Sequence, residues 1–155
     1  MLNEDYKDML RCLLDEKVEF LLVGAYAVAV YGYPRATKDI DLFVRAAPDN
    51  APNLLRALAR FGAPLTDITE ADFSKEGIVF QIGSSPRRID ILTKISGVEF
   101  ERAYANRKIV TVEEIDVPVI ALSDLIANKQ AAGRMQDLAD IEKLRKAASS
   151  SDSNT

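Results

Sequence analysis

Two aspartates at the start of an apolar strand constrain this chain more than any other feature. Asp39 and Asp41 open the segment DIDLFV, which follows residues 18–31, VEFLLVGAYAVAVY. Side chains two apart in a strand lie on the same face, ~6–7 Å from each other, so Ile40 and Leu42 must point the other way into a core. The order of these segments predicts a strand, a glycine turn, a short helix and a second, acidic strand.

The acidic pair indicates a site for a metal ion and phosphate. Two neighbouring carboxylates repel each other, and each is costly beside a low-dielectric core unless positive charge lies between them. A divalent cation bound to phosphate oxygens is the natural partner. Gly24 allows a sharp turn into the short helix, and the free N–H groups of a helix N-terminus favour phosphate. The loop before the acidic strand adds two cations and a hydroxyl, on Arg35, Lys38 and Thr37.

Composition limits the chemistry that such a site can use. The chain has 155 residues, 48% of them hydrophobic, which predicts one domain with a proper core. It has no histidine, which excludes Ser-His triads, histidine acid–base chemistry and histidine-ligated zinc. A formal net charge of −4 is unusual for a protein that holds nucleic acid by its backbone. The single cysteine, Cys12, suits a reducing compartment, and we expect a cytoplasmic protein with no leader and no membrane span.

Hydrophobic periodicity predicts the remaining elements of the domain. The predicted helices cover residues 3–17, 25–31, 49–61, 98–106, 123–132 and 135–147, and the predicted strands cover residues 18–23, 39–44, 78–82, 88–92, 108–112 and 117–120. Five intervening residues with a glycine make 78–92 an antiparallel hairpin, and Pro118 predicts an edge strand. We place one domain at residues 1–148 and a disordered, Ser/Asp/Asn-rich tail at 149–155.

The motifs resemble those of the nucleotidyltransferase superfamily typified by DNA polymerase β. That family has a glycine and a small residue after a strand, a short helix, and then the pattern Asp, hydrophobic, Asp or Glu, hydrophobic. Gly24-Ala25 and Asp39-Ile40-Asp41-Leu42 match this order. Asp90, in the segment RIDIL, matches a third carboxylate on a later strand. Ala25 departs from the usual Gly or Ser, which removes a side-chain contact to phosphate but leaves the backbone N–H groups.

Small bacterial members of the superfamily, including the abortive-infection toxin branch, share further residues with this chain. The glycine, arginine and threonine that precede their acidic strand correspond to Gly32, Arg35 and Thr37, with Lys38 next to the pair. Lys129 resembles the lysine that such proteins carry on a C-terminal helix and point at the nucleotide. The pattern Lys, Arg, Asp, Asp of the toxin branch is continued by Arg134, Asp137 and Asp140.

The resemblance implies a fold and a set of roles. The fold is α/β (α+β), with a central mixed β-sheet flanked by helices and with C-terminal helices. Asp39, Asp41 and Asp90 would be the catalytic residues and the ligands of two Mg²⁺ ions, or of Mn²⁺, and Asp90 would help to deprotonate the acceptor. Nucleotide and phosphate contacts fall to Gly24, Ala25, Arg35, Thr37, Lys38 and Lys129.

The implied activity is transfer of a nucleoside monophosphate from an NTP such as ATP to a hydroxyl group, with release of pyrophosphate. The acceptor stays open among a tRNA 3′ end, a protein side chain and a small molecule such as an aminoglycoside. The alternatives are a binding module that acts as one half of a toxin–antitoxin pair without turnover, and a nucleotide sensor that lacks an acceptor. A core of this length has little room for its own recognition domain, which favours a partner protein or a homodimer.

Overall fold

Six strands form one mixed sheet through the middle of the domain. The computed structural model describes residues 2–33 and 38–153. Among these residues the strands are β1 (Phe20–Val23), β2 (Ile40–Val44), β3 (Val79–Ile82), β4 (Ile89–Leu92), β5 (Lys108–Val112) and β6 (Ile115–Val119). Their order in the sheet is β3-β4-β2-β1-β6-β5. The β2–β4 and β1–β6 pairs are parallel, and the other three are antiparallel.

Helices connect the strands and end in a long C-terminal helix. Within the described residues they are α1 (Glu4–Asp15), α2 (Gly24–Val30), α3 (Ala51–Phe61), α4 (Glu70–Phe73), α5 (Phe100–Ala105), α6 (Leu122–Ala132) and α7 (Met135–Ser153). Helix α1 packs against α3, and α6 packs against α7. None of the helices described is both long and apolar enough to span a bilayer.

The ends of α1 and α3 follow the signals in the sequence. Asn3 caps α1, because its Oδ1 accepts a hydrogen bond from the backbone N–H of Tyr6 at 2.8 Å. Gly62 ends α3 in the left-handed conformation, with φ at 95°. The helices predicted for residues 3–17 and 49–61 are therefore present, with these two residues at their ends.

The central strands are buried on both faces, as their sequences predict. All four residues of β1 are buried, and the side chains of Ile40 and Leu42 on β2 are fully enclosed. Burial of each large aliphatic side chain contributes about 1.5–3 kcal/mol. The core therefore encloses Ile40 and Leu42 on one face of β2, and Asp41 lies on the opposite face beside the buried Phe43.

The predicted edge position of residues 117–120 is wrong. β6 lies inside the sheet, between β1 and β5. Pro118 has no N–H to donate, but β6 needs few bonds toward β1, since only Leu22 and Val119 are in register. The N–H of Ile120 donates to the carbonyl oxygen of Leu22 at 3.1 Å and completes the junction.

The C-terminal helices also differ from the expected boundaries. α6 begins at Leu122, whereas the predicted helix begins at residue 123, so Ser123 lies within the first turn of the helix. α7 continues to Ser153, whereas the predicted tail begins at residue 149. Extending an existing helix needs no new nucleation, so the polar residues from 149 onward can continue the helix whose earlier turns pack against α6. Residues 154 and 155 lie outside the described residues, and the division into domain and tail stays a prediction.

Candidate active site

Three carboxylates lie where the end of β1 meets the starts of β2 and β4. Asp41 lies directly opposite Asp90 in the parallel register of β2 and β4. On its other side Asp41 pairs with Val23, the last residue of β1. Asp39 immediately precedes β2. Neighbouring strands lie ~4.8 Å apart, so this pairing brings together acidic residues that are distant in the sequence.

Asp41 is the carboxylate whose ionisation the surroundings oppose most. Burial raises the pKa of Asp41 to about 7, and the adjacent carboxyl of Asp90 and the charge of Asp39 act in the same direction. The guanidinium of Arg88 acts against them. A second buried negative charge beside the first is unfavourable, so Asp41 in the metal-free protein keeps a proton well above the usual range for a carboxyl group.

The surroundings shift the pKa of Asp39 in the opposite direction, below its usual range. Burial alone would raise the pKa of Asp39, but three donors together lower it below the usual range. The Ser85 hydroxyl donates to Oδ2 at 2.6 Å, the Arg88 backbone N–H donates to Oδ1 at 2.9 Å, and the Arg88 guanidinium lies 3.2 Å from Oδ2. Hydrogen bonds to the charged form favour ionisation. The surroundings of Asp39 therefore favour its charged form.

One guanidinium links two of the three carboxylates. Arg88 lies two residues before Asp90 on the same face of the β3–β4 hairpin, and its Nε donates to Asp90 Oδ1 at 2.7 Å. Its Nη2 donates to Asp90 Oδ2 at 3.2 Å and also contacts Asp39. The sequence alone indicates no more than a surface ion pair between this arginine and Asp90. Its bridge to Asp39 follows only from the pairing of β2 with β4.

Gly24 forms the floor beneath Asp41. Its φ is 67°, in the region that side chains avoid, and a Cβ added there would clash with Oδ2 of Asp41. Val23 precedes α2 without a side-chain hydrogen bond to the helix N-terminus. The backbone N–H groups at Gly24 and Ala25 therefore begin the helix directly beside the acidic group, which is the juxtaposition that the sequence predicts.

A cleft of ≈ 550 Å³ opens above Gly24 and Asp41. Besides Asp41 and Lys129, its polar lining comes from Lys94, Ser96, Asn128 and Arg134. The apolar part of its lining includes Val79 and Leu92 from the β3–β4 hairpin. The cleft therefore places apolar surface and cationic groups next to the carboxylates.

The loop after β4 reaches the cleft because it packs tightly on α6. Asn128 Nδ2 donates to the carbonyl oxygen of Ser96 at 2.9 Å. A Cβ on Gly97 would lie 2.6 Å from the Cβ of Ala131, so only glycine permits this approach. No motif signals this contact, although a glycine following a strand is a weak hint of a close backbone approach.

Lys129 lines the cleft, but its charge is engaged by buried carboxylates. Its Nζ lies 3.2 Å from Asp137 Oδ1 and 3.0 Å from Asp140 Oδ2, and all three side chains are almost completely buried. Arg134 joins the same group, with its Nε 2.7 Å from Asp137 Oδ2. This buried charge cluster connects α6 to α7 and has a structural role that the predicted nucleotide contact of Lys129 did not include.

Of the remaining predicted phosphate residues, the structure describes Lys38. Arg35 and Thr37 are outside the described residues. Lys38 is exposed, and its positive charge helps to lower the pKa of Asp39. Its backbone carbonyl accepts a hydrogen bond from the hydroxyl of Tyr6 at 3.0 Å, which fixes the start of the acidic strand.

The donor set suits a hard divalent cation. Carboxylate oxygens are the ligands that Mg²⁺ prefers, and a cation beside Asp41 would offset the burial and the neighbouring carboxylates that raise its pKa. Among the residues described, no three acidic, cysteine or histidine side chains already converge as a metal site. Asp39 and Asp90 are instead turned toward Arg88. The residues fit a metal ion in their chemistry, and the Arg88 guanidinium contacts the oxygens that would bind it.

Comparison with known proteins identifies the fold. A family model described as "Nucleotidyl transferase of unknown function (DUF2204)" matches residues 2–154. The sequence has no significant match among curated proteins.

Solved structures of the same fold include one protein bound to lincomycin and one bound to adenylyl-2″-tobramycin. TM1012 of Thermotoga maritima, which is named a nucleotidyltransferase, has a TM-score of 0.60 and 16% identity, covering 97% of this chain and 96% of that one. The lincosamide antibiotic adenylyltransferase LnuA, bound to lincomycin, has a TM-score of 0.59 and 13% identity over 95% and 98% of the two chains. ANT(2″)-Ia, in complex with adenylyl-2″-tobramycin, has a TM-score of 0.58 and 12% identity over 96% and 95%. At these identities the likeness shows the fold, and the predicted mixed α+β architecture is confirmed.

Proposed function

The chain belongs to the family of nucleotidyl transferases of unknown function, DUF2204, and from that premise we propose that it is a metal-dependent enzyme that transfers a nucleoside monophosphate from an NTP to a hydroxyl group of a small molecule. Mg²⁺ is the proposed metal ion, with Mn²⁺ as a substitute, and pyrophosphate is the second product. A cytoplasmic location is part of the same proposal.

One observation carries the proposal. Asp41 lies opposite Asp90 across two parallel strands, and the same carboxylate rests on the Gly24 turn at the start of α2. Metal ligands and phosphate donors must lie within a few ångströms of each other if one metal-bound phosphate group is to contact both. Two surface acids without a role would not need to lie on the same face of the sheet, and they would not need a glycine at position 24 to make room for one of them.

The residues divide the reaction between them. The N–H groups of Gly24 and Ala25 would bind the outer phosphates of the NTP, with Lys38 and the predicted Arg35 and Thr37 contacting the leaving pyrophosphate. Asp39, Asp41 and Asp90 would hold the metal, which would neutralise phosphate oxygens and make the acceptor hydroxyl more acidic. The hydroxyl oxygen forms a bond to the α-phosphorus, the bond to the pyrophosphate oxygen breaks, and Asp90 receives the hydroxyl proton.

Two features favour a small acceptor over RNA. The structural relatives named above include proteins bound to lincomycin and to an adenylylated tobramycin, and the adenylyl group favours ATP as the donor. The net charge of −4 offers no general attraction for a phosphate backbone. A protein hydroxyl is the remaining acceptor from the sequence analysis, and it is tested in the same assay.

The test is transfer of label from each of the four α-³²P NTPs to a panel of hydroxylated antibiotics, tRNA and a protein extract. We expect Mg²⁺-dependent labelling of a small molecule by the wild type and none by Asp41→Asn. Asp67→Asn changes an exposed acid and serves as the matched control with full activity. Labelling that persists in Asp41→Asn would contradict the mechanism.

The binding-module alternative is tested by two binding measurements. If folded protein bound no NTP by calorimetry, with or without Mg²⁺, the acidic site would have no catalytic use. A stable complex with another protein that is unchanged by Asp39→Asn would then support a partner function, as in a toxin–antitoxin pair.

A further inference from the structure

Arg88 occupies the position of a counter-ion inside the candidate metal site. Its guanidinium reaches Asp90 Oδ1 at 2.7 Å, Asp90 Oδ2 at 3.2 Å and Asp39 Oδ2 at 3.2 Å. The Asp90 side chain is only 9% exposed and that of Asp39 17%, so solvent screens these contacts weakly. The contacted oxygens belong to two of the three proposed metal ligands.

The geometry of the hairpin explains why this arginine and not its neighbour takes that position. Arg88 and Asp90 are two apart, so they share a face of the sheet, and a guanidinium can present two parallel donors to one carboxylate. The backbone N–H of Arg88 also donates to Asp39 at 2.9 Å, which ties the end of the hairpin to the start of β2. Arg87 precedes it with an exposed side chain.

We propose that Arg88 is a positioning residue that holds Asp39 and Asp90 in place in the metal-free protein and is displaced from them when a divalent cation binds. This inference rests on the proposed function, because it assigns Arg88 a role toward the metal of that site. A guanidinium and a metal ion that use the same carboxylate oxygens compete for them. Arg88 therefore sets the metal affinity of the site and, once released, is a free cation next to the bound nucleotide.

The competition predicts that removal of Arg88 increases the affinity of the site for a metal ion. A residue that only supports the fold of the site would weaken metal binding when it is removed. A competing counter-ion would strengthen it, because the metal no longer has to displace hydrogen bonds to a charged group and meets more negative charge. The metal-free protein, in contrast, should become less stable, since its carboxylates lose their positive partner.

The experiment compares Arg88→Gln with Arg87→Gln, using Mn²⁺ alone as the probe. Binding is measured by the loss of the free Mn²⁺ EPR signal, and stability by the melting temperature in EDTA. For Arg88→Gln we expect a Kd for Mn²⁺ about tenfold lower than that of the wild type, and a melting temperature about 4 °C lower or more. Arg87→Gln should match the wild type in both.

The failures of the two proposals are distinguishable. If the wild type bound Mn²⁺ and Arg88→Gln bound it equally or more weakly, this inference would be overturned while the proposed function stood. If neither protein bound Mn²⁺ or Mg²⁺, both would be overturned. Should Arg88→Gln fail to fold, Arg88→Lys keeps the charge without the fork that reaches both carboxylates, and a smaller tightening of the Kd is expected.

Discussion

At Gly24 a single added methyl group would collide with a carboxylate of the candidate active site. Ala at this position would place Cβ against Oδ2 of Asp41 and would also hold a side chain at a φ of 67°. We expect Gly24→Ala to destabilise the fold by about 2 kcal/mol and to reduce NTP affinity by ~100-fold or more, because Asp41 must move away from the phosphates. Urea unfolding and calorimetry measure the two effects.

Gly62 provides the control for Gly24. Its φ of 95° imposes the same backbone strain, but a Cβ there meets no atom within 4 Å. Gly62→Ala should therefore cost about 1 kcal/mol of stability and leave NTP binding unchanged. Equal losses of affinity in both variants would show that global destabilisation, and not the contact with Asp41, explains the result.

The raised pKa of Asp41 makes the stability of the metal-free protein depend on pH. Its folded-state pKa of about 7 lies above the unfolded value of 3.8, so between these values the folded protein binds more protons. The contribution of Asp41 is therefore largest at low pH and is lost as the pH rises through about 7. Between pH 5 and pH 8 in EDTA, the wild type should lose on the order of 2 kcal/mol more unfolding free energy than Asp41→Asn.

The variant isolates this group from the other titrating residues, since Asn cannot ionise. Saturating Mg²⁺ should reduce the difference, because a bound cation favours the ionised carboxylate. A wild type whose pH dependence equals that of Asp41→Asn in EDTA would show that Asp41 is already ionised at low pH.

Among the elements, the β5–β6 hairpin has an unfavourable turn. Glu113 and Glu114 form its two-residue loop with φ at 49° and 71°, a conformation for which Asn-Gly is preferred. Glu114→Gly should stabilise the protein by about 0.5–1 kcal/mol, because the relief of strain exceeds the added chain entropy. Glu113→Gly should gain less, since Glu113 accepts a hydrogen bond from the N–H of Leu2 at 3.1 Å. Thermal unfolding tests both, and a lower melting temperature for Glu114→Gly would contradict the argument.

Helices α6 and α7 depend on the buried charge cluster at Lys129. Lys129→Met would leave Asp137 and Asp140 buried with less positive charge, at a cost of about 3–5 kcal/mol. Lys146→Met removes a lysine that is 74% exposed and pairs loosely with Glu142, and should change stability by less than about 0.5 kcal/mol. Chemical unfolding of the two variants gives the comparison. If Lys129→Met kept its stability but lost NTP affinity, the predicted nucleotide contact would be the main role of Lys129.

The hydrophobic pattern of the sequence predicted the helices and strands of this fold far better than the contacts between them. The strand–turn–helix–strand order around Gly24 and the hairpin that carries Asp90 follow from periodicity, because each burial pattern is written in consecutive residues. The interior position of β6 could not be predicted, since Pro118 indicates an edge only when the strand must bond fully on both sides. Arg88 and Asn128 were missed as parts of the site because their partners come from other elements, through strand pairing and helix packing.

For the whole molecule, charge distinguishes the classes of acceptor. The chain has 24 acidic and 20 basic residues, and three of the acids lie at the candidate site. Binding of an RNA through six to ten phosphates would weaken by about 10³–10⁵ between 50 and 200 mM salt, whereas an acceptor held by short-range contacts loses little. The salt dependence of the acceptor KM is therefore a direct measure of how many phosphates, if any, the protein holds.

We expect the KM for a small hydroxylated acceptor to change by less than about threefold over this range. The KM for the NTP, measured in the same series, serves as the internal control, because the donor carries the same few phosphates with any acceptor. If the acceptor KM alone rose by 10³ or more, the protein would have to hold many phosphates of the acceptor. A protein with a net negative charge could do so only through a local basic surface. That result would overturn the small-molecule proposal but not the proposed nucleotidyl transfer, because the roles proposed for the acidic site and the Gly24 turn do not depend on which hydroxyl compound is the acceptor.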